Sequence, residues 1–96
     1  MNSFEERLYN HWMYTNALSN MIYDMEFDIR DNLGENSVSL VDYDKGKYAT
    51  MIVNEGYSID AVISHIEYVK DIDGNYYEDL KFLKNGDREL LFYIEI

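Results

Sequence analysis

The chain has 96 residues, with no cysteine and no proline, and its 19 acidic residues against 8 basic ones give a net charge of −11. That composition rules out disulfides and thiolate metal sites. It disfavours direct contact with nucleic acid or an anionic membrane, both of which demand Lys and Arg, and favours a cationic partner.

The length fits one domain, residues 1–96, built on a single small core. Ser3-Phe4-Glu5-Glu6 is a capping-box pattern and opens a helix. Leu8, Trp12, Leu18, Ile22, Met25 and Ile29 follow at three- and four-residue steps, and Asn32-Leu33-Gly34 supplies the stop. The spacing predicts a helix over about 4–32, roughly 43 Å long. A helix of that length overhangs a small domain or bends, with Ser19-Asn20 the expected break. The stretch MNSFEERLYNHW has no basic n-region and no apolar h-region, so no secretory signal is expected. No apolar run approaches the ~20 residues that span a bilayer. A cytoplasmic location is the expectation.

After Asn36 the pattern changes to period two. Val38, Leu40 and Asp42 alternate with Ser39, Val41 and Tyr43, and YATMIVN follows the polar link DYDKGK. This predicts a hairpin with strands near 37–43 and 47–54. Residues 58–70, SIDAVISHIEYVK, fit two structures. Ile59, Val62, Ile63 and Ile66 have helical spacing behind Ser58 as a cap, yet the segment is rich in β-branched residues and alternates from Ile66 to Lys70. The turn-like DIDGN that follows favours a strand over 61–70. Strands over 76–83 and 88–95 complete the pattern, with an Asn85-Gly86 turn between them and Leu90, Phe92, Ile94 and Ile96 on one face. The expected fold is α+β: a long N-terminal helix packed on a mostly antiparallel meander of about five strands.

No catalytic motif is present. The chain contains no nucleophile elbow, P-loop or dinucleotide fingerprint, and His11 and His65 lack partners at zinc-ligand spacing. Each histidine reads most simply as a surface or structural residue. With so many carboxylates, pairs at glycosidase spacing carry no information. The segment DIDGNYYED, residues 71–79, invites a calcium reading. Its Gly falls at position four instead of six, and position twelve is Phe82, so it is not an EF-hand loop. An irregular site from Asp71, Asp73, Asn75 and Asp79 is the remaining metal reading, and turn chemistry is the simpler one. A non-enzymatic protein with no metal and no cofactor is expected.

Binding by charge is the stronger reading. Asp24, Asp28, Asp31 and Glu35 step by four, three and four, which places them on one helical stripe with neighbouring Cβ atoms ~5–6 Å apart. Asp71 and Asp73 are two apart, on the order of 6.6 Å along a strand. These spacings are comparable with neighbouring phosphates. The ten tyrosines add rigid, polar-tipped contact area. The candidate partner-binding residues are Asp24, Asp28 and Asp31 on the helix and Asp71, Asp73, Tyr76, Tyr77, Glu78 and Asp79 around the turn, with Tyr76 and Tyr77 placed to stack on arginines.

A capped N-terminal helix, an acidic sheet and a short chain free of Cys and Pro, with VSLVDYDKGKYATMIVN at its first hairpin, resemble the small acidic inhibitors encoded by bacteriophages. The likeness is greatest to anti-CRISPR proteins that act on type II CRISPR nucleases. The resemblance implies a protein of the host cytoplasm that mimics nucleic acid and blocks the basic DNA-binding site of a defence nuclease. Its partner is then a basic nucleic-acid-binding protein, with a CRISPR effector nuclease as the named candidate. Two alternatives stand beside it: an immunity protein or antitoxin covering a basic toxin active site, and an acidic structural domain with no inhibitory role.

Overall fold

The computed structural model describes the backbone of residues 3–44 and 48–95 and the side chains of residues 17–41 and 48–95. It is an α+β fold in which helices cover one face of an antiparallel sheet. The elements are α1 (Ser3–Leu33), β1 (Val38–Asp44), β2 (Tyr48–Val53), α2 (Ile59–Ile72), α3 (Gly74–Tyr77), β3 (Leu80–Lys84) and β4 (Glu89–Ile94). Helix α1 runs 31 residues without a break at Ser19-Asn20. At ~1.5 Å per residue it is roughly 46 Å long, twice the length of a seven-residue strand. The molecule is correspondingly elongated, 51 × 26 × 20 Å. Leu18, Ile22, Met25 and Ile29 are fully buried, so the three- and four-residue steps in the sequence mark the face that packs on the sheet. Among the described residues no helix is long and apolar enough to cross a membrane.

The strand expected over 61–70 is a helix. Helix α2 opens at Ser58, whose side chain accepts a hydrogen bond from the Ala61 N–H at 3.3 Å, while the Ser58 carbonyl accepts from the Val62 N–H. Val62, Ile66 and Val69 are buried at steps of four and three. A strand would have turned Val69 to the opposite face from Val62 and Ile66. Burial of one apolar stripe against the sheet therefore overrides the β-branched composition. DIDGN is then no hairpin turn. Asp71 and Ile72 end α2, Asp73 links the helices, and Gly74-Asn75-Tyr76-Tyr77 form α3. The strand expected over 76–83 shortens to β3.

The sheet has four strands among the described residues, not five, in the order β1-β2-β4-β3, and every neighbouring pair is antiparallel. It is not a meander. The α2–α3 segment carries the chain past β2 to the far edge, and β4 returns between β2 and β3. Both predicted hairpins form: Val38 pairs with Val53 in the first, Leu80 with Ile94 in the second. Gly86, at φ 111°, occupies the turn as expected. A bulge lies between Leu40 and Asp42. The inner face of the sheet carries Val38, Ala49, Met51, Val53, Leu80, Leu90, Phe92 and Ile94, all buried under the helices. Ile96 and the link at 45–47 lie outside the described residues.

Side chains lock the connections to the sheet. The Arg30 guanidinium donates to the Val38 carbonyl through Nε and Nη2 at 3.1 and 3.0 Å, and Arg88 donates to the Val53 carbonyl at 3.1 Å. Gly34 sits at φ 143°, and a Cβ placed there would lie 2.8 Å from the Tyr57 ring. Gly34→Ala should therefore cost about 1–3 kcal/mol of stability, from backbone strain and a clash with Tyr57 together. Ser37 is the opposite case. Its hydroxyl is fully buried with no hydrogen-bond partner among the described residues. Ser37→Ala should leave stability unchanged or raise it by up to about 1 kcal/mol. Urea unfolding of both variants checks the contrast. A Ser37→Ala loss as large as that of Gly34→Ala would show that the hydroxyl is satisfied.

Candidate protein-binding face

Two acidic stretches, about forty residues apart in the chain, meet where α1 runs beside α2 and α3. Tyr76 donates its hydroxyl to the Asp24 carboxylate. His65 Nε2 is hydrogen-bonded to Asp28 Oδ1 at 2.8 Å, and Asn32 donates to the same oxygen at 2.9 Å. The helical stripe and the segment around 71–79 are thus parts of one surface. The phenols at the seam record this. Burial, then the hydrogen bond and charge of Asp24, push the Tyr76 hydroxyl up to about 12. Tyr77 is raised further, first by burial, then by Asp24, by the neighbouring Tyr76, and by Asp28 and Asp73. Carboxylates from both segments therefore bear on a single phenol.

The structure sorts the candidate residues. Asp24, Asp31, Asp71, Asp73, Tyr76, Glu78 and Asp79 are exposed, and Asp28 is half-buried under His65 and Asn32. Tyr77 is corrected: it is 4% exposed and belongs to the core, so it is not available to stack on a partner's arginine. Its ring instead supports Tyr76 edge-on, with centroids 4.7 Å apart. Helical periodicity is the reason, because α3 turns Tyr77 inward as it turns Tyr76 outward.

Few described cations offset the charge of this surface. Within residues 17–33 and 59–79 the only Lys or Arg are Arg30 and Lys70. Arg30 points to β1 and pairs with Glu26 at 3.4 Å. Lys70 donates to the Leu80 carbonyl and lies 6.0 Å from the centre of the Phe82 ring. Burial, with the charge of Lys81 second, lowers the Lys70 ammonium below the usual lysine range. Both cations bond sheet carbonyls, and Arg30 also stays beside Glu26 and Asp31. The other described cations are Lys81, whose ammonium donates to the Glu78 carbonyl at 3.3 Å, and Lys84 and Arg88 at the β3–β4 hairpin.

Large apolar groups stand among the acids. Phe27 is 72% exposed on α1, and Tyr68 and Ile72 are 60% and 61% exposed on α2. None of the three was among the sequence candidates. His65, Tyr68 and Ile72 follow steps of three and four, and the helical reading of 58–70 was the signal that exposed them. Among the described residues no group of three or more His, Asp or Glu comes together to hold a metal ion. Comparison of the chain with protein-family models, curated proteins and solved structures gives no match.

The Asp24–Tyr76 bond has a pH signature. The folded chain holds the Tyr76 proton more tightly than the ordinary phenol value of 10. Its contribution to stability is therefore full below pH 10 and lost as pH rises towards 12. NMR titration of the tyrosine rings should find Tyr76 ionising late. In Asp24→Asn its midpoint should move back towards, without reaching, the ordinary value, since burial is the larger cause. An unchanged midpoint would remove Asp24 as a cause.

Proposed function

We propose that the chain is a non-enzymatic protein inhibitor whose acidic helical face takes the place of nucleic acid on the basic binding site of a host defence nuclease. The observation that carries this reading is the orientation of the cations. With Arg30 and Lys70 hydrogen-bonded to sheet carbonyls, the carboxylates of α1 and of residues 71–79 outnumber the described cations beside them, which are Arg30 near Asp31 and Lys81 near Glu78. A surface built only for solubility has no use for Phe27, Tyr68 and Ile72 among its charges. A protein interface does, because such groups supply contact area while charge supplies register and encounter rate. The resemblance to anti-CRISPR proteins points to a type II CRISPR nuclease as the partner.

The chemistry of competition follows from the residue types. Such nucleases read guanine edges with arginine and hold duplex through Lys and Arg on phosphates. Exposed carboxylates at Asp31, Asp71, Asp73, Glu78 and Asp79 offer those cations charge-assisted, bidentate hydrogen bonds. Tyr68 and the outward edge of Tyr76 offer aromatic surface for a guanidinium. A nuclease so occupied has lost its DNA site without any chemical step.

Titration of the chain into type II CRISPR nucleases loaded with guide RNA should displace target DNA in a binding assay, more weakly at high salt than at low salt. Replacing Asp31, Asp71, Asp73 and Asp79 with Asn should weaken that inhibition by at least about tenfold while the fold is kept. Failure to displace DNA from any of a panel of these nucleases, even at low salt, would defeat the CRISPR assignment. Unchanged inhibition by the four-site variant would defeat the acidic face.

A further inference from the structure

The pairing register shows which backbone groups the two edge strands turn outward. In an antiparallel pair, residues alternate between bonding the neighbouring strand and pointing away from it. The Asn54 N–H donates to the Ser37 carbonyl at 2.9 Å, so Ser37 faces β2, while Val38 and then Leu40 face outward. The Glu95 N–H donates to the Asp79 carbonyl at 3.0 Å, so Asp79 faces β4, while Leu80, Phe82 and Lys84 face outward. Among the described residues no further strand lies beside β1 or β3. Each edge thus begins with an outward carbonyl, Val38 on β1 and Leu80 on β3. Those are the two carbonyls that Arg30 and Lys70 bond. One cation comes from α1 and the other from α2, so the helical layer reaches both edges.

We propose that Arg30 and Lys70 guard the two edges of the sheet against pairing with an edge strand of a second copy. An unpaired edge is a template, because its outward N–H and C=O groups can bond any strand that comes alongside. With the first carbonyl held by a side chain, an incoming strand cannot complete its ladder without displacing a guanidinium or an ammonium. Water would satisfy an outward carbonyl at an open edge, so hydrogen bonding alone does not call for a cation at both. The rest of each edge carries further obstacles of the same kind. A bulge between Leu40 and Asp42 breaks the register of β1. Strand β3 is five residues long and has Lys81 and Lys84 within it. Short strands, bulges and lysines are the devices that keep sheet proteins from joining edge to edge with their own copies.

This inference is independent of the inhibitor reading, and its test uses the purified chain alone. Arg30→Met and Lys70→Met keep an aliphatic stem and remove the donors. Each makes a chain of net charge −11 more acidic, which by itself drives copies apart. Sedimentation equilibrium should nevertheless show each variant self-associating about tenfold or more tightly than the unsubstituted chain, the gain expected from a freed backbone hydrogen bond. As the concentration rises, amide exchange should slow at Leu40 in Arg30→Met and at Phe82 in Lys70→Met, whereas a general loss of stability would speed both. Arg30→Lys and Lys70→Arg keep a cation at the carbonyl and should behave as the unsubstituted chain does. If circular dichroism shows that a Met variant does not fold, Arg30→Gln and Lys70→Gln, polar but shorter, repeat the test. Folded variants that associate no more than the unsubstituted chain, or that associate without slowing those amides, would overturn the proposal.

Discussion

The placement of α2 and α3 against α1 is the constraint on which the rest of the molecule depends. Two polar bridges define it, Asp28 to His65 and Asp24 to Tyr76, above a core in which Val62, Ile66 and Val69 meet Leu18, Ile22 and Met25. The apolar contacts supply most of the stability, since burial scales with area and each polar bridge replaces hydrogen bonds to water. The bridges supply register. A slip of α2 by one turn past α1 would separate His65 from Asp28 and Tyr76 from Asp24 together, leaving partly desolvated groups without partners. That register brings two distant acidic stretches into one surface. It also carries the chain to the far edge of the sheet, so that β4 returns between β2 and β3.

Much of this was legible in the chain, for definable reasons. Helix α1 announced itself because a capping box, a long 3.6-residue period and a glycine stop all agree on it. The two hairpins were legible because period-two alternation and turn residues coincide at Asn85-Gly86 and around residues 45–47. Residues 58–70 misled because two local signals conflict there. β-Branched residues favour a strand, while Ser58 and the spacing of Val62, Ile66 and Val69 favour a helix. Only the sheet settles the matter, by offering a surface to one stripe. The conflict reaches its neighbours: with a strand at 61–70, DIDGN reads as a turn, the sheet as a five-stranded meander and Tyr77 as a surface residue. The acidic residues themselves were readable from composition, but their convergence was not, because it depends on the α1–α2 register.

The distribution of charge separates the two sides of the molecule. Like charges at helical spacing destabilise a fold by a few tenths of a kcal/mol per pair, and surface cations usually relieve that repulsion. Here Arg30 pairs with Glu26, but both it and Lys70 also serve the sheet. They satisfy the carbonyls of Val38 and Leu80, next to or within edge strands where the chain enters the sheet. The same side chains thus close the fold and leave the helical face acidic. Beyond the bonds that Asp24 and Asp28 make to Tyr76 and His65, like charges on that face oppose the fold, which makes solubility alone a poor account of it once Phe27, Tyr68 and Ile72 are counted among the acids.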